Sequence, residues 1–173
     1  NVFVNQQGRS LVRLDGAGAA SGDHTSLVGW DNGLGNHQFL VGISNEESAG
    51  KEPSQIQVFS PTVAPTMLPV GLFSMGAIVL ADMDQDGDLD GFVAGRGMPG
   101  RFPEAASSVC LRNDHGTLVV ADDWSVPFRN LGRVSGAVFV DIDNDGDSDL
   151  VLSLEWGSLR CFLNQGGRFE DVS

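Results

Sequence analysis

Two aspartate-rich segments contain the residues of this chain that are best suited to chemistry. The first runs from Asp82 to Asp90 and the second from Asp141 to Asp149, and each places carboxylates at positions 1, 3, 5, 7 and 9 and a glycine at position 6. Carboxylates this close together repel one another unless a cation neutralises them. Ca²⁺ prefers oxygen ligands, and a glycine at position 6 permits the sharp turn that wraps a loop around the ion. The sequence therefore predicts two calcium sites.

Each predicted site takes its ligands from alternate residues of one segment. By analogy with calcium loops of this spacing, side chains bind from positions 1, 3, 5 and 9, whereas position 7 binds mainly through its backbone carbonyl. Asp88 and Asp147 occupy position 7, so we expect their side chains to face water. The ten candidate metal-binding residues are Asp82, Asp84, Asp86, Asp88, Asp90, Asp141, Asp143, Asp145, Asp147 and Asp149.

The residues that flank the loops predict strands. An EF-hand requires Glu at position 12 and a helix on each side, but position 12 is Val93 in the first segment and Leu152 in the second. Short apolar runs with several β-branched residues lie on both sides of each loop, at 76–81, 91–95, 136–140 and 150–154. Such runs are typical of strands that are buried on both faces. The predicted unit is therefore a strand, a calcium loop and a second strand.

A hairpin pattern recurs along the chain. A strand, a turn with asparagine and glycine, and a second strand are predicted three times, at 1–14, 108–120 and 159–172. Asn5, Asn113 and Asn164 occupy corresponding positions in these turns. The two aspartate loops begin 59 residues apart, which fits a four-stranded unit such as a propeller blade or a related repeat.

Residues 28–40 contain a degenerate copy of the aspartate loop. An alignment with residues 81–93 keeps only one of the five carboxylates, because Asp31 matches Asp84, whereas Gly29 takes the place of Asp82, Gly33 that of Asp86 and His37 that of Asp90. One carboxylate binds Ca²⁺ poorly, so we expect this loop to be free of metal. Its outer hairpin is predicted at 55–59 and 67–70, where Pro69 fits an edge strand.

This pattern resembles the FG-GAP/VCBS repeats of the integrin α-chain propeller and of related bacterial and extracellular proteins. Residues 73–77 are similar to the FG-GAP signature, and residues 136–151, 162–164 and 169–172 are similar to the VCBS consensus. The resemblance implies an all-β fold, a β-propeller-type array of four-stranded antiparallel blades with Ca²⁺ in loops on one face. It also implies an extracellular or cell-surface scaffold for binding or adhesion, which would be secreted or periplasmic in a bacterium.

On this reading the chain is a single repeat domain of about three and a half blades. The predicted units are the outer hairpin of a partial blade at 1–20, a degenerate blade at 21–71, and calcium-loop blades at 72–130 and 131–173. Roughly fourteen strands are too few to close a familiar propeller. We therefore expect further blades, either from a longer protein of which this is a piece or from another chain that covers the open edges.

Composition and charge exclude several classes of protein. The chain has 173 residues, of which 41% are hydrophobic, which indicates a folded domain. A net charge of −13 argues against nucleic acid or anionic membrane as partners. No apolar run approaches the roughly 18 residues of a membrane span, so no membrane insertion is expected. Cys110 and Cys161 occupy matching repeat positions, which predicts two small buried residues rather than a disulfide.

The remaining residues form no recognised catalytic motif. His24, His37 and His115 have no metal-protease spacing, and no serine lies in a nucleophile elbow, so we expect that the protein is not an enzyme. One alternative is a catalytic or non-catalytic part of a carbohydrate- or lipid-active extracellular enzyme, and another is a structural module whose only ligand is Ca²⁺. Trp156 and the insertion 96–104 are candidates for contact with a protein or carbohydrate ligand, although tryptophans also pack between blades.

Overall fold

The computed structural model describes residues 2–6, 10–14, 22–46, 51–60 and 63–173. Within these ranges the chain is all-β, as the sequence predicts, with fourteen strands and a short 3-10 helix at Val126–Phe128. No helix in the described ranges has the length and apolar character that crossing a membrane requires.

The described strands form one two-stranded sheet and three four-stranded sheets, all antiparallel. The two-stranded sheet consists of β1 (Val2–Gln6) and β2 (Ser10–Leu14). Sheet I contains β3 (Asp23–Asp31), β4 (His37–Ser44), β5 (Ser54–Phe59) and β6 (Thr66–Gly71). Sheet II contains β7 (Ser74–Ala81), β8 (Asp90–Gly97), β9 (Val109–Asp114) and β10 (Thr117–Ala121). Sheet III contains β11 (Val134–Val140), β12 (Asp149–Leu154), β13 (Arg160–Gln165) and β14 (Arg168–Asp171).

Each four-stranded sheet is a meander in which every strand pairs with the next one along the chain. The predicted hairpins are confirmed, and two of them turn on residue pairs with positive φ, His115–Gly116 between β9 and β10 and Gly166–Gly167 between β13 and β14. Two successive positive φ angles match the right-handed twist of the flanking strands. In the third predicted hairpin β1 pairs antiparallel with β2, but residues 7–9 between them and the side chain of Asn5 lie outside what the structure describes.

The loop of sheet I differs from its predicted alignment. Asp31 pairs with His37 at the base of this loop, whereas Ala81 pairs with Asp90 at the base of the first aspartate loop. The loop of sheet I is therefore shorter, and Gly29 lies within β3 opposite Phe39. The predicted correspondences of Gly29 with Asp82 and of Asp31 with Asp84 are wrong, because an alignment without a gap cannot represent the missing residues. His37 and Asp90 both begin the second strand of their pair.

Two hydrophobic clusters hold the three sheets together. One lies between sheets I and II and includes Trp30, Leu40, Ile56, Met75 and Leu111. The other lies between sheets II and III and includes Phe92, Trp124, Phe128, Leu150 and Phe162. The ring of Phe128 packs edge-on against those of Phe92 and Phe162, with centroid distances of 5.1 and 4.9 Å. Sheet II is thus buried on both faces, which confirms the prediction for the run at 91–95.

The run at 136–140 predicts a strand that is buried on both faces, but strand β11 is buried on one face only. Val138 is 53% and Val140 47% exposed, whereas Val134 is buried against sheet II. In the described residues, sheet II covers one face of sheet III, so alternate side chains of β11 face water. Strand β6 with Pro69 lies at the edge of sheet I, as predicted. Cys110 is buried and Cys161 half-buried, and both are free thiols.

Candidate metal centre

Both aspartate loops turn at the same two positions. Gly87 and Gly146 at position 6 have φ angles of +95° and +96°, in the left-handed region that the sequence predicts for these glycines. Gln85 and Asn144 at position 4 both have φ of +62°. This second turn was not predicted, although asparagine is one of the residue types that tolerate the left-handed conformation.

A ladder of side-chain to backbone hydrogen bonds shapes the first loop. Asp82 Oδ2 accepts the N–H of Gly87 at 3.0 Å, and Asp84 Oδ1 accepts that of Asp86 at 3.3 Å. Asp86 Oδ1 in turn accepts the N–H of Asp88 at 3.1 Å. Each carboxylate is thereby oriented toward the inside of the loop, because its backbone partner lies within the same turn.

The second loop repeats this ladder with the equivalent residues. Asp141 Oδ2 accepts the N–H of Gly146 at 3.2 Å, and Asp143 Oδ1 accepts that of Asp145 at 3.2 Å. Asp145 Oδ1 accepts the N–H of Asp147 at 2.9 Å. Since the two sequences share only the aspartates and the glycine within the loop, these residues are sufficient to specify the conformation.

The carboxylates converge closely enough to share an ion. One oxygen each from Asp82, Asp84 and Asp86 lie within 4.8 Å of one another, and the same holds for Asp141, Asp143 and Asp149. Ca²⁺ binds oxygens at about 2.3–2.6 Å, so ligands on opposite sides of the ion lie about 5 Å apart. Both clusters therefore have the dimensions and the donor type that could hold a metal ion.

Two buried carboxylate oxygens in the first loop support this fit. Among the residues that the structure describes, Asp82 Oδ1 and Asp88 Oδ1 are buried and have no hydrogen-bond partner. A buried carboxylate oxygen without a partner is costly, and a cation removes that cost. The donor set of the loop thus fits a hard cation.

The aspartates at position 7 are half-buried, although the sequence predicts that their side chains face water. Asp88 is half-buried, because its Cβ lies against Gly33 in the loop of sheet I, 2.9 Å from where a Cβ on that glycine would be. Asp147 accepts hydrogen bonds from Gln85 Nε2 in the first loop and from the N–H of Gly166 in its own hairpin. The expectation was wrong because loops of neighbouring sheets contact each other, which the sequence of one loop does not show.

The position-9 aspartates join each loop to the outer hairpin of its own sheet. Asp90 is 1% exposed, and its two oxygens accept the N–H groups of Met83 at 3.0 Å and Asn113 at 2.8 Å. Asp149, also 1% exposed, accepts those of Ile142 at 2.7 Å and Asn164 at 2.8 Å. Each oxygen keeps a second lone pair, so this role is compatible with binding a metal.

Asn113 and Asn164 are structural residues that the search for ligands missed. Asn113 Oδ1 accepts the N–H of Gly116 at 2.8 Å, and Asn164 Oδ1 accepts that of Gly167 at 2.9 Å, which closes each hairpin turn. Their amide groups also donate to the loop of the preceding sheet. The signal was present in the sequence as the matching turn positions of the two asparagines.

The electrostatics of the loops favour neutralisation. Burial raises the pKa of Asp90 to about 6, against the opposing effect of the two N–H donors. Burial, followed by the charge of Asp86, also raises the pKa values of Asp84 and Asp88, and burial raises that of Asp143. A raised pKa means that the ionised carboxylate is disfavoured where it lies, and a bound cation offsets that unfavourable free energy.

The shorter loop of sheet I is shaped by an asparagine instead. Asn32 Oδ1 accepts the N–H groups of Leu34 at 3.0 Å and Asn36 at 3.2 Å. Asp31 lies 3.2 Å from His37 Nδ1 across the base of the loop. Asp31 Oδ1 also accepts the N–H of Gly33 at 3.1 Å, so one carboxylate and one amide oxygen close this turn. The absence of metal from this loop stays a prediction.

No protein-family model matches this chain, and no curated protein is significantly similar to it. The geometry of the two loops is therefore the basis on which function is argued.

Proposed function

We propose that this chain is a calcium-binding repeat module of the FG-GAP/VCBS type that acts as an extracellular scaffold for binding or adhesion. The observation that carries the proposal is the pair of buried oxygens, Asp82 Oδ1 and Asp88 Oδ1, which lie among carboxylates without a hydrogen-bond partner in the described part of the chain. Oxygen donors in a loop of this kind suit Ca²⁺. The second loop supports the proposal because it repeats the same turns and hydrogen bonds.

In this account the calcium is structural. The carboxylates of positions 1, 3, 5 and 9 and the carbonyl of position 7 would hold the ion in each loop, and in the first loop the unpartnered Asp88 Oδ1 would be a further ligand. Because the unfolded chain lacks the assembled site, binding stabilises the folded state by mass action. No step of catalysis is assigned to either loop.

We propose further that the three four-stranded sheets are successive blades of a β-propeller. Each sheet is a four-stranded meander, and the first strands β3, β7 and β11 contact one another in order. The exposed face of β11, with Val138 and Val140, is where a further blade would pack, either from the same protein or from another chain.

Charge restricts the partners of such a scaffold. A net charge of −13 disfavours nucleic acid and anionic membranes, and we propose a protein or carbohydrate ligand that contacts an uncharged or locally positive part of the surface. A location outside the cell or at its surface agrees with the use of Ca²⁺ as a permanent structural ion, since extracellular modules tolerate weaker calcium sites of about 10⁻⁴–10⁻³ M.

Calorimetric titration of the metal-stripped protein with CaCl₂ tests the proposal. We expect two sites on the folded protein, and weaker binding of MgCl₂, because Mg²⁺ demands near-octahedral geometry and gives up its water reluctantly. A matched control is Asp122→Asn, which removes an exposed carboxylate outside the loops and should leave both sites intact. Absence of calcium binding by the folded protein would refute the metal-centred function.

A further inference from the structure

A cavity opens between the three sheets at the end of the strands remote from the aspartate loops. The loops follow the last residues of β7 and β11, whereas the cavity lies at the first residues of these strands. Its volume is about 330 Å³, and it is lined by Thr25, Ser26, Gly76, Ala77, Arg96 and Ser135. The lining combines three residues that carry hydroxyls with Arg96, and none of the described lining residues is acidic. Two of the hydroxyls also have protein partners, since Ser26 Oγ accepts the N–H of Ile78 at 3.0 Å and Ser135 Oγ donates to the carbonyl oxygen of Ser153 at 3.1 Å. This is the size and polarity of a site for a small polar ligand with a negative charge.

The guanidinium in this cavity is held by contacts between two sheets. Arg96 Nη2 of sheet II donates to Glu155 Oε1 at 3.1 Å, and Glu155 Oε2 accepts from Arg133 Nε at 2.8 Å. Two arginines share one glutamate, so the trio has a net positive charge in a chain of −13. The Arg96 side chain is 48% exposed, and a Cβ on Gly76 would come within 3.0 Å of its Cγ. Glycine at that position therefore leaves room for the methylene groups of Arg96, which is one of the residues that line the cavity.

An exposed aromatic pair adjoins this ion-pair network. The rings of Phe102 and Trp156 meet edge-to-face with centroids 5.8 Å apart, although the residues are 72% and 77% exposed. Arg133 connects the pair to the network, because its guanidinium lies 5.2 Å from the centre of the Phe102 ring while its Nε bonds to Glu155. The insertion predicted as a candidate binding loop thus meets the candidate tryptophan from the next sheet.

The backbone of Trp156 provides a second, independent observation. Its φ is +61°, in the left-handed region, where a bulky residue is strained. Glycine adopts a positive φ without strain, yet this turn has tryptophan at the position with positive φ and glycine at the next one, Gly157. A strained and exposed tryptophan contributes little to folding, and such outliers cluster at binding sites.

We propose that the cavity and the aromatic pair together bind an acidic glycan through one uronic-acid residue. The carboxylate of the sugar pairs with Arg96, its hydroxyls bond to Thr25, Ser26 and Ser135, and the apolar face of a pyranose ring packs on Trp156. A hydroxyl that has one protein partner keeps a further lone pair, so three hydroxyl-bearing residues in the same cavity as Arg96 suit a polyhydroxylated ring better than a peptide side chain, whose carboxylate is its only polar group. The inference rests on the scaffold role proposed above and names its ligand, but it requires no contact with the calcium loops.

Binding of matched tetrasaccharides tests this proposal. The probes are β-1,4-linked tetraglucuronate, its methyl ester, and cellotetraose, titrated calorimetrically into protein that was loaded with calcium and then desalted. We expect the ester and cellotetraose to bind at least about tenfold more weakly than the acid, because the charged hydrogen bonds to Arg96 are lost. Equal binding of all three sugars would overturn the proposal, and so would tight binding of oligoglutamate with none of tetraglucuronate.

Two variants and two controls localise the binding. Arg96→Gln should weaken tetraglucuronate about tenfold and leave cellotetraose unchanged. Trp156→Gly should weaken both sugars and should not lower the melting temperature, because glycine relieves the positive φ. Leu34→Ala, which truncates a residue that is 66% exposed in the loop of sheet I, and Arg168→Gln should bind as the parent does.

Calcium stoichiometry separates this inference from the function on which it rests. Two calcium sites with no sugar binding would refute the glycan site alone. Sugar binding that survives when no calcium binds would support the glycan site and refute the calcium loops. Unchanged affinity in both Arg96→Gln and Trp156→Gly would show that any observed sugar binds elsewhere, which also overturns the proposal.

Discussion

Asn164 donates a hydrogen bond from its side-chain amide to the carbonyl oxygen of Met83 at 2.9 Å, across 81 residues of sequence. Met83 lies inside the first aspartate loop, whereas Asn164 lies in the outer hairpin of the next sheet. Asn113 makes the equivalent bond to Asn32 at 3.4 Å. The backbone N–H of each asparagine also donates to the position-9 aspartate of the loop in its own sheet. The metal loops and the contacts between sheets therefore form one connected network of hydrogen bonds.

Removing the amide of Asn164 should destabilise the fold. In Asn164→Ala the carbonyl of Met83 and the N–H of Gly167 both lose a buried partner, and an unsatisfied buried group costs about 1–3 kcal/mol. Asn164→Asp keeps an acceptor for Gly167 but loses the donor to Met83, so it should also be destabilised. Denaturant unfolding measures both variants against Gln165→Ala, an exposed neighbour. Stability equal to the parent in both variants would contradict the proposed link between sheets.

Removing calcium should lower the melting temperature. A ligand at about 100 times its dissociation constant stabilises the folded state by about 2.7 kcal/mol per site. For a chain of this size, 1 kcal/mol corresponds to roughly 2–4 °C in melting temperature. Thermal melts with excess calcium and with a chelator measure the difference, and melts in magnesium with the same chelator control for ionic strength. Identical melting curves would argue against structural metal.

The two sites should differ in affinity. Asp82 and Asp84 are half-buried between sheets, whereas Asp141 and Asp143 are exposed. Attraction between ion and ligands is stronger where water is excluded, so the first loop should bind Ca²⁺ more tightly. We expect Asp82→Ala to abolish the tighter step of a calcium titration and Asp141→Ala the weaker step, each with little effect on the other. Two full-strength sites in Asp141→Ala would show that the assigned ligands are wrong.

Calcium affinity should fall between pH 7.5 and pH 5.5. Burial raises the pKa of Asp90 to about 6, so this carboxyl takes up a proton as the pH falls through that value in the metal-free protein. Protons then compete with Ca²⁺, and binding at pH 6 should release protons. Titrations in two buffers of different ionisation enthalpy measure the proton release. An affinity that is independent of pH across this range would indicate that Asp90 is ionised throughout, so that calcium binding is not coupled to its protonation.

Local sequence signals predicted the elements of this fold well. The all-β class, the hairpins, the edge position of β6 and the turns at Gly87 and Gly146 all follow from residue types at short spacing. Much of the loop conformation was predictable for the same reason, because the aspartates at positions 1, 3 and 5 each accept from a backbone N–H two to five residues away. The residues that make these contacts are close together in the sequence, so their types and spacing are enough to predict them.

Features that depend on contacts between sheets were not predictable. The burial of Asp88 depends on Gly33, and the role of Asp147 on Gln85 of another sheet. The exposure of β11 likewise depends on whether a neighbouring sheet covers it, since an apolar run has the same sequence whether one or two faces are packed. A shortened loop also displaced the alignment of Gly29, because the residues that remained were too few to reveal the gap.

Diffraction from crystals grown with calcium, or with a lanthanide that replaces it, tests the central claim most directly. The account predicts one anomalous peak in each aspartate loop, with carboxylate oxygens of the first and second segments about 2.3–2.6 Å from the two calcium ions. Two such peaks would establish both sites. Well-ordered loops with no peak at either position would contradict the account.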